Sequence, residues 1–376
     1  MPAPTAATEI RLPAELRPRD GRFGSGPSKV RPEALAALAA TGTGYMGTSH
    51  RRDGVRSVVR RVREGLATLF GLPDGYEVLL GNGGSTTFWD ALAFGMVEAR
   101  SAHLVIGEFS SKFAAATAGA PFLADPVVVE HPPGTRGALT ADGSVDLYAL
   151  IHNETSTGVM TDIARPDGAV GIVAVDGTSG AGGLRVDPTQ FDVYYLAPQK
   201  SFAGDGGLWL ACCSPAAIER IERVHGSGRW IPASLDLAIA LENSRLDQTY
   251  NTPALGTLFM LAHTIDWMLE QGGLGWSTAR CDRSAEIVYG WAEEREFASP
   301  FIADPAARSH VTATIDFTGV DGDTLCAALR ANGVVDVEPY RKLGRNQLRI
   351  ALFPAIEPDD LLTLTRAIDY LVDALA

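Results

Sequence analysis

The sequence predicts an α/β protein, with a large domain on a mainly parallel mixed sheet flanked by helices and a smaller α+β domain behind it. Three observations lead there. Between residues 76 and 213, strand-like runs alternate with helix-like stretches. Several of those runs are unbroken apolar stretches rather than alternating ones, as strands covered on both faces require. Beyond about residue 255 the texture changes to two long helical stretches followed by short strands and helices. The large domain is therefore placed at residues 20–255 and the small one at residues 256–376.

The first twenty or so residues are rich in Pro, Ala and Arg and read as extended, packing near the small domain or the entrance to the site. "RPEALAALAA" reads as a short helix, with Pro32 tolerated near its start. "SVVRRVREGLATLFGL" has helical spacing and reaches a capping glycine at Gly71. The strand candidates are "YEVLLG", "AHLVIGE", "PVVVEH", "LYALIHNE", "VGIVAVD", "DVYYLAP" and "GLWLACC", with helices such as "STTFWDALAFGMVEA" between them. In the small domain, helices are expected over residues 255–273, 275–294, 322–333 and 358–375, and strands over residues 310–317, 334–338 and 346–353.

Composition narrows the function. The chain has 376 residues, 46% of them apolar, which supports large buried cores. A formal net charge of −13 and no basic run argue against a nucleic-acid or anionic-membrane partner. Cys212, Cys213, Cys281 and Cys326 have neither metal-ligand nor disulfide-framework spacing, so no metal is expected and they read as reduced core residues of a cytoplasmic protein. The opening residues lack an apolar signal-peptide core, and no window holds the roughly 18–20 apolar residues needed to span a membrane.

The chemistry concentrates at the ends of two of these runs. "AVGIVAVDGTSG" carries Asp176, and "VYYLAPQK" ends in Gln199 and Lys200. As strands of one parallel sheet, they deliver both residues to neighbouring carboxyl ends, where open α/β sheets bind ligands. A lysine and a carboxylate about a cofactor's width apart suit pyridoxal phosphate. The lysine forms a Schiff base, and the carboxylate keeps the pyridine nitrogen protonated so that the ring acts as an electron sink. Taken alone, such a pair is more often a surface lysine and a turn aspartate.

Other segments add to it. "YEVLLGNGGSTTFWDALAF" sets a glycine-rich turn between a strand and a helix, and the amides of Gly84 and Ser85 there can cradle a phosphate. The dinucleotide pattern G-x-G-x-x-G fails, because Thr86 stands where its third glycine belongs. "HNETSTG" offers Thr155 as a hydroxyl for the phenolic oxygen of a pyridoxal ring, or an ordinary polar turn. Arg349 lies inside an apolar run, where a guanidinium needs an anion: a substrate carboxylate or a structural salt bridge. "GTSHRRD" sets His50 beside Arg51.

With "GSGPSKV" and "TSHR" near the start, the ordered motifs "NGGSTTFWD", "HNETSTG", "VDGTSG", "APQK", "TYNTPA" and "NQLRIALFPA" resemble those of the phosphoserine aminotransferase family, particularly its actinobacterial branch. The resemblance runs from about Arg19 to the C-terminus. It implies a fold type I, pyridoxal-phosphate-dependent enzyme that converts 3-phosphohydroxypyruvate and glutamate to O-phosphoserine and 2-oxoglutarate in serine biosynthesis. Some members also act on the related phosphorylated keto acid of vitamin B6 synthesis. Lys200 matches the Schiff-base lysine and Asp176 the partner of the pyridine nitrogen. Gly84, Ser85 and Gln199 match contacts to the cofactor phosphate, and Thr155 the contact to the phenolic oxygen. Phe109 falls where many members stack a tryptophan on the ring. Asn251 and Thr252 match residues that reach the cofactor of the other subunit, which implies a homodimer. Arg349 matches the arginine for the substrate carboxylate, and His50 and Arg51 the pair for the distal phosphate or carboxylate. Many members have a histidine seven residues before that arginine. Here the position is Lys342, with Arg341 beside it, and either cation can meet the substrate's phosphate.

The nearest rival is a serine- or alanine-glyoxylate aminotransferase on the same fold, whose substrates would leave the cations at His50, Arg51, Arg341 and Lys342 without a purpose. Cysteine desulfurase is disfavoured by Gln199 before the lysine and by Cys326 on an apolar-patterned helix. A non-catalytic binding protein would leave Lys200 with Asp176 unexplained.

Overall fold

The computed structural model describes residues 7–375; the first six residues of the segment expected to be extended lie outside the described residues. The chain lays down β1 (Glu77–Gly83), β2 (Ser101–Val105), β3 (Val127–Glu130) and β4 (Leu147–Ile151), and then a short hairpin, β5 (Asn153–Glu154) with β6 (Val159–Met160). β7 (Ile172–Asp176), β8 (Val193–Leu196) and β9 (Gly207–Cys213) follow. Apart from the hairpin these form one seven-stranded sheet of order β1-β9-β8-β7-β4-β2-β3. β3, β2, β4, β7 and β8 run parallel, whereas β9 is antiparallel to both β8 and β1. The sheet is thus mainly parallel and mixed, as the sequence predicts.

Alternation along each strand feeds two helical layers. On one face Val78 and Leu80, Val173 and Val175, and Tyr194 pack with Val59, Val62 and Leu66 of α2 (Asp53–Phe70), which follows α1 (Pro32–Ala40). On the other, Leu79, Ala174, Tyr195 and Trp209 pack with α3 (Ser85–Gly95), α4 (Glu108–Ala118), α5 (Pro215–His225) and α6 (Leu237–Arg245) through Phe88, Trp89, Phe113, Ile221 and Leu241. α7 (Leu255–Gln271) buries Leu258, Leu261 and Ile265 in the same core as α2. The first helix beyond residue 255 therefore packs with the large sheet, one helix later than the division expected at 255/256.

From α8 (Gly273–Glu293) onward a second core forms. β10 (Ala298–Pro300), β11 (Thr312–Phe317) and β12 (Gln347–Ala351) make an antiparallel sheet in that order. Ile315, Leu348 and Ile350 pack there with α9 (Gly322–Ala331) and α10 (Pro358–Leu375). The strand expected over residues 334–338 is reduced to one parallel bridge, Arg22 to Val335. Asp336 follows with φ +64°, a left-handed conformation that ends any extended run. The N-terminal segment lies along this second core: Ala7, Leu12 and Phe23 are buried in it, and Asn332 Oδ1 accepts from the Leu12 amide at 2.9 Å. From Phe23 the chain runs on to the carboxyl edge of the large sheet, where the Ser28 amide donates to the Gln199 carbonyl at 3.0 Å. Among the described residues, no helix is long and apolar enough to cross a membrane.

Candidate active site

β7 ends at Asp176, which pairs with Tyr195 of β8; four residues past β8 the chain reaches Lys200. A cavity of about 550 Å³ opens at this edge. Gly84, Ser85, Phe109, Thr155, Asp176, Gln199 and Lys200, all singled out in the sequence, line it together.

The Lys200 Nζ donates to the Ser25 carbonyl at 2.6 Å and stands 6.0 Å from the Phe109 ring centre. Gly26 makes the approach possible: its φ is +138°, and a Cβ there would lie 1.9 Å from Nζ. Burial, and then the charge of Arg349, lower the Lys200 pKa to about 8 against the opposing pull of Asp176 and Glu154. Burial pushes the Asp176 carboxyl the other way, upward, while its donors hold it down. The Thr178 amide donates to Oδ1 at 2.9 Å and the Trp89 indole to Oδ2 at 3.2 Å.

The β1–α3 turn forms one wall. Gly83 has φ +123°, and a Cβ on it would meet the Thr87 hydroxyl oxygen at 2.4 Å. Gly84, at the N-cap of α3, has no side chain to cap the first turn, and open space faces its Cα. The amides of that turn are thus available to an anion, reinforced by the helix dipole. The Ser85 hydroxyl accepts from Thr178 Oγ1 at 2.6 Å, which leaves its own proton to donate. Gln199 brings a buried amide oxygen with no hydrogen-bond partner among the described residues.

Phe109 forms the opposite wall, and Glu154 places it. This buried carboxylate accepts from the Phe109 amide at 3.2 Å and the Ser110 amide at 3.0 Å, at the start of α4, and from the Ser156 hydroxyl at 2.6 Å. Thr155, next in sequence, hydrogen-bonds Ser179 at 2.8 Å. From the small domain, the half-buried Arg349 on β12 donates to the Thr155 carbonyl at 3.3 Å. Its Nε is buried without a partner, and its Cζ lies 5.5 Å from the Tyr340 ring centre. Among the described residues no carboxylate pairs with it, so the structural salt bridge weighed above is absent. Tyr340 also packs on Phe109, with ring centroids 5.9 Å apart.

The remaining candidates stand elsewhere. Lys342 pairs with Glu108 at the edge of α4, and Arg341 lines a separate cleft with Asp321 and Asp323. His50, Arg51, Asn251 and Thr252 cluster outside this cavity. The Thr252 hydroxyl lies 3.2 Å from His50 Nδ1, Arg51 donates to Gln248 at 2.7 Å, and Asn82 donates to Asn251 Oδ1 at 2.7 Å. Sequence reasoning missed Trp89, Thr178, Glu154 and Tyr340. Of these only Glu154 carried a signal, as an acidic residue at the end of an apolar run.

The comparisons with known proteins agree with this geometry. The family model for aminotransferase class-V matches residues 23–337. Phosphoserine aminotransferase of Rhodococcus jostii (strain RHA1) is 56% identical over 366 residues, spanning 97% of this chain and 98% of its own. The chain belongs to the class-V aminotransferases, on their phosphoserine aminotransferase branch. Two solved phosphoserine aminotransferases share the fold. The one from Cytophaga hutchinsonii has a TM-score of 0.84 at 24% identity, covering 93% of this chain and 99% of its own. The one from Bacillus circulans subsp. alkalophilus has 0.82 at 21%, covering 95% and 99%.

The pyridoxal phosphate of class-V aminotransferases fits these residues. The uncapped end of α3 and the free proton of the Ser85 hydroxyl suit its phosphate, Phe109 its ring face, and Lys200 and Asp176 its aldehyde and ring nitrogen.

Two tests follow from this geometry. An amine reacts with an aldehyde only when neutral, so the rate at which apoprotein turns yellow with pyridoxal phosphate should rise with pH through a midpoint near 8. A midpoint near the ordinary lysine value of 10.5 would remove the influence of burial on Lys200. Glu154→Ala should orphan the first amides of α4 and cost on the order of 3 kcal/mol in urea unfolding. Glu154→Gln, which keeps one acceptor oxygen, should cost less; equal losses would show that the carboxylate's acceptors do not matter.

Proposed function

We propose that this chain transfers the amino group of glutamate to 3-phosphohydroxypyruvate, giving O-phosphoserine and 2-oxoglutarate, as a cytoplasmic homodimer with pyridoxal phosphate on Lys200. The observation that carries this reading is the single cavity that holds an amine of lowered pKa, a buried carboxylate and an uncapped helix end, with an unpaired arginine behind Thr155. The buried free cysteines agree with a reducing compartment.

When bound, the cofactor supplies an electron sink for the pair left by the broken Cα–H bond. The protein supplies the rest. Gly84, Ser85 and Gln199 hold the phosphate, and Phe109 lies on the ring face. The Thr155 hydroxyl bonds the phenolic oxygen, and Asp176 holds a proton on the ring nitrogen. Arg349 takes the α-carboxylate common to both substrates, which orients the Cα–H bond toward Lys200 Nζ. The free amine of Lys200 then accepts that proton and returns it two atoms away, to the carbon on the other side of the substrate nitrogen; its low pKa keeps it neutral enough to do so.

The distal anion is met from the partner subunit. His50 and Arg51 stand beside Asn251 and Thr252 on one surface outside this subunit's cavity, so all four enter a site together or not at all. Met46, Leu246 and Tyr250, exposed and close in sequence to these residues, give that surface apolar area to bury. A flexible, exposed cation such as Lys342 can reach the same anion once it leaves Glu108.

Stepwise spectroscopy tests the reaction. Glutamate should bleach the yellow protein, and 3-phosphohydroxypyruvate but not glyoxylate should restore it; recovery with glyoxylate alone would make the protein a serine- or alanine-glyoxylate aminotransferase. Subunit mixing tests the shared site. Lys200→Ala and Arg51→Ala should each be nearly inactive at ordinary substrate concentrations. Mixed after dissociation, they should recover about a quarter of wild-type activity, because half the dimers then hold one intact site. No recovery would place Arg51 in the site of its own subunit.

A further inference from the structure

We infer that Trp89 and Tyr195 are positioning residues that act through Asp176, holding its carboxylate in plane and ionised so that it can keep a proton on the cofactor's ring nitrogen. The inference rests on the role proposed above for Asp176. It starts from an unusual junction of three elements. Tyr195 lies directly across from Asp176 in the β7–β8 register, fully buried on the α3 face of the sheet. Trp89, in α3, comes down on the same spot. Its indole N–H is shared between the Tyr195 oxygen at 3.0 Å and Asp176 Oδ2 at 3.2 Å. The Tyr195 hydroxyl, having accepted from the indole, keeps its own proton beside Asp176, and burial and then the Asp176 charge raise its pKa. The result is a triangle of indole, phenol and carboxylate with the one indole N–H between the two oxygens.

The triangle has chemical consequences. A buried carboxylate tends to take up a proton, and a protonated Asp176 could not hold one on a ring nitrogen. Donors favour the ionised form, and each one lost makes the carboxylate more basic. The Thr178 amide at 2.9 Å covers Oδ1, and the Trp89 indole, which Tyr195 also holds, covers Oδ2. The other ionisable groups nearby are Tyr194 on β8, Lys200 across the cavity and His152, whose amide bonds the Asp176 carbonyl at 2.9 Å. Tyr194 bonds His152 at 2.8 Å instead, on the far face of the sheet, so it does not substitute for Tyr195.

Tyr195→Phe removes the oxygen that helps anchor the Trp89 indole over Oδ2, and almost no volume. The more basic Asp176 should draw the shared proton from the ring nitrogen, leaving the ring less electron-poor and the imine on Lys200 harder to deprotonate. The yellow band should therefore persist to a pH about half to one unit higher than in wild type. Pyridoxal phosphate should bind roughly 3–10-fold more weakly, and kcat should fall while KM changes little. Trp89→Phe should shift the band in the same direction.

The decisive comparison repeats both changes in an Asp176→Asn background. There they should leave the titration of the band where Asp176→Asn alone puts it. Equal shifts with and without Asp176 would overturn the inference, as would Tyr195→Phe that lowers the melting temperature yet titrates like wild type. If Asp176→Asn alone leaves the titration unmoved, the role of Asp176 itself is wrong and this inference falls with it; a wild type that never turns yellow rejects the cofactor instead.

Discussion

A carboxylate taken out of water at the end of a buried strand costs several kcal/mol unless donors surround it, and much of the large domain is arranged around meeting that demand at Asp176. Its donors come from two places. The turn after β7 gives the Thr178 amide, and α3 gives Trp89, whose indole also reaches Tyr195 on β8. The helix that brings Trp89 down also presents its uncapped first turn to the cavity. Under the roles proposed for these residues, one helix serves both ends of the cofactor: its first turn would face the phosphate, and its fifth residue would support the aspartate for the ring nitrogen.

A second buried carboxylate repeats the device on the opposite wall. Glu154 sits in the hairpin just past β4 and accepts from the first amides of α4, so the helix that carries Phe109 is fixed by an acid from outside it as well as by its own Ser110 Oγ, which accepts from the Gly107 amide at 3.2 Å. The small domain then touches this same wall. Arg349 reaches the Thr155 carbonyl, Tyr340 packs on Phe109, and Lys342 pairs with Glu108. Below them the Thr314 hydroxyl donates to the Thr157 carbonyl at 2.9 Å. All four contacts fall on two short segments, residues 154–157 and 108–109. A shift of the small domain would therefore be felt first at Phe109 and at Arg349, the residues proposed for the cofactor's ring face and the substrate carboxylate.

What could be read in the sequence and what could not divide along a physical line. Lys200 and Asp176 were legible because each ends an apolar run, and a parallel sheet brings the ends of its strands together whatever the loops do. The reversal of β9 was not legible: "GLWLACC" is as apolar as its parallel neighbours, and direction depends on the connection rather than on the strand. The packing of α7 with α2 was hidden for a related reason, since an apolar helix face does not say which core it enters. Trp89 and Tyr195 escaped because their partners lie across strands and layers, and an apolar context makes both look like ordinary core residues. The roles expected for His50, Arg51, Asn251 and Thr252 rested on the resemblance alone. Their clustering on one surface is a property of the fold that no spacing within the chain reveals.

The placement of cations explains how a chain of net charge −13 can work on anions. Arg349 is half-buried, stacked on Tyr340 and held by the Thr155 carbonyl, so its position is fixed before any substrate arrives. That rigidity suits the α-carboxylate, which every substrate carries at the same distance from the reacting carbon. The distal group differs between the two half-reactions, a carboxylate in one and a larger, more highly charged phosphate in the other. A rigid second arginine could match one of them only at the other's expense. Exposed, solvated cations such as Arg51 and Lys342 can change position with little loss, because the ion pairs and hydrogen bonds they leave are surface contacts of small net worth. Under the roles proposed for these cations, fixed recognition near the reacting carbon and adaptable recognition at the far end follow from where burial holds a guanidinium in place and where it does not.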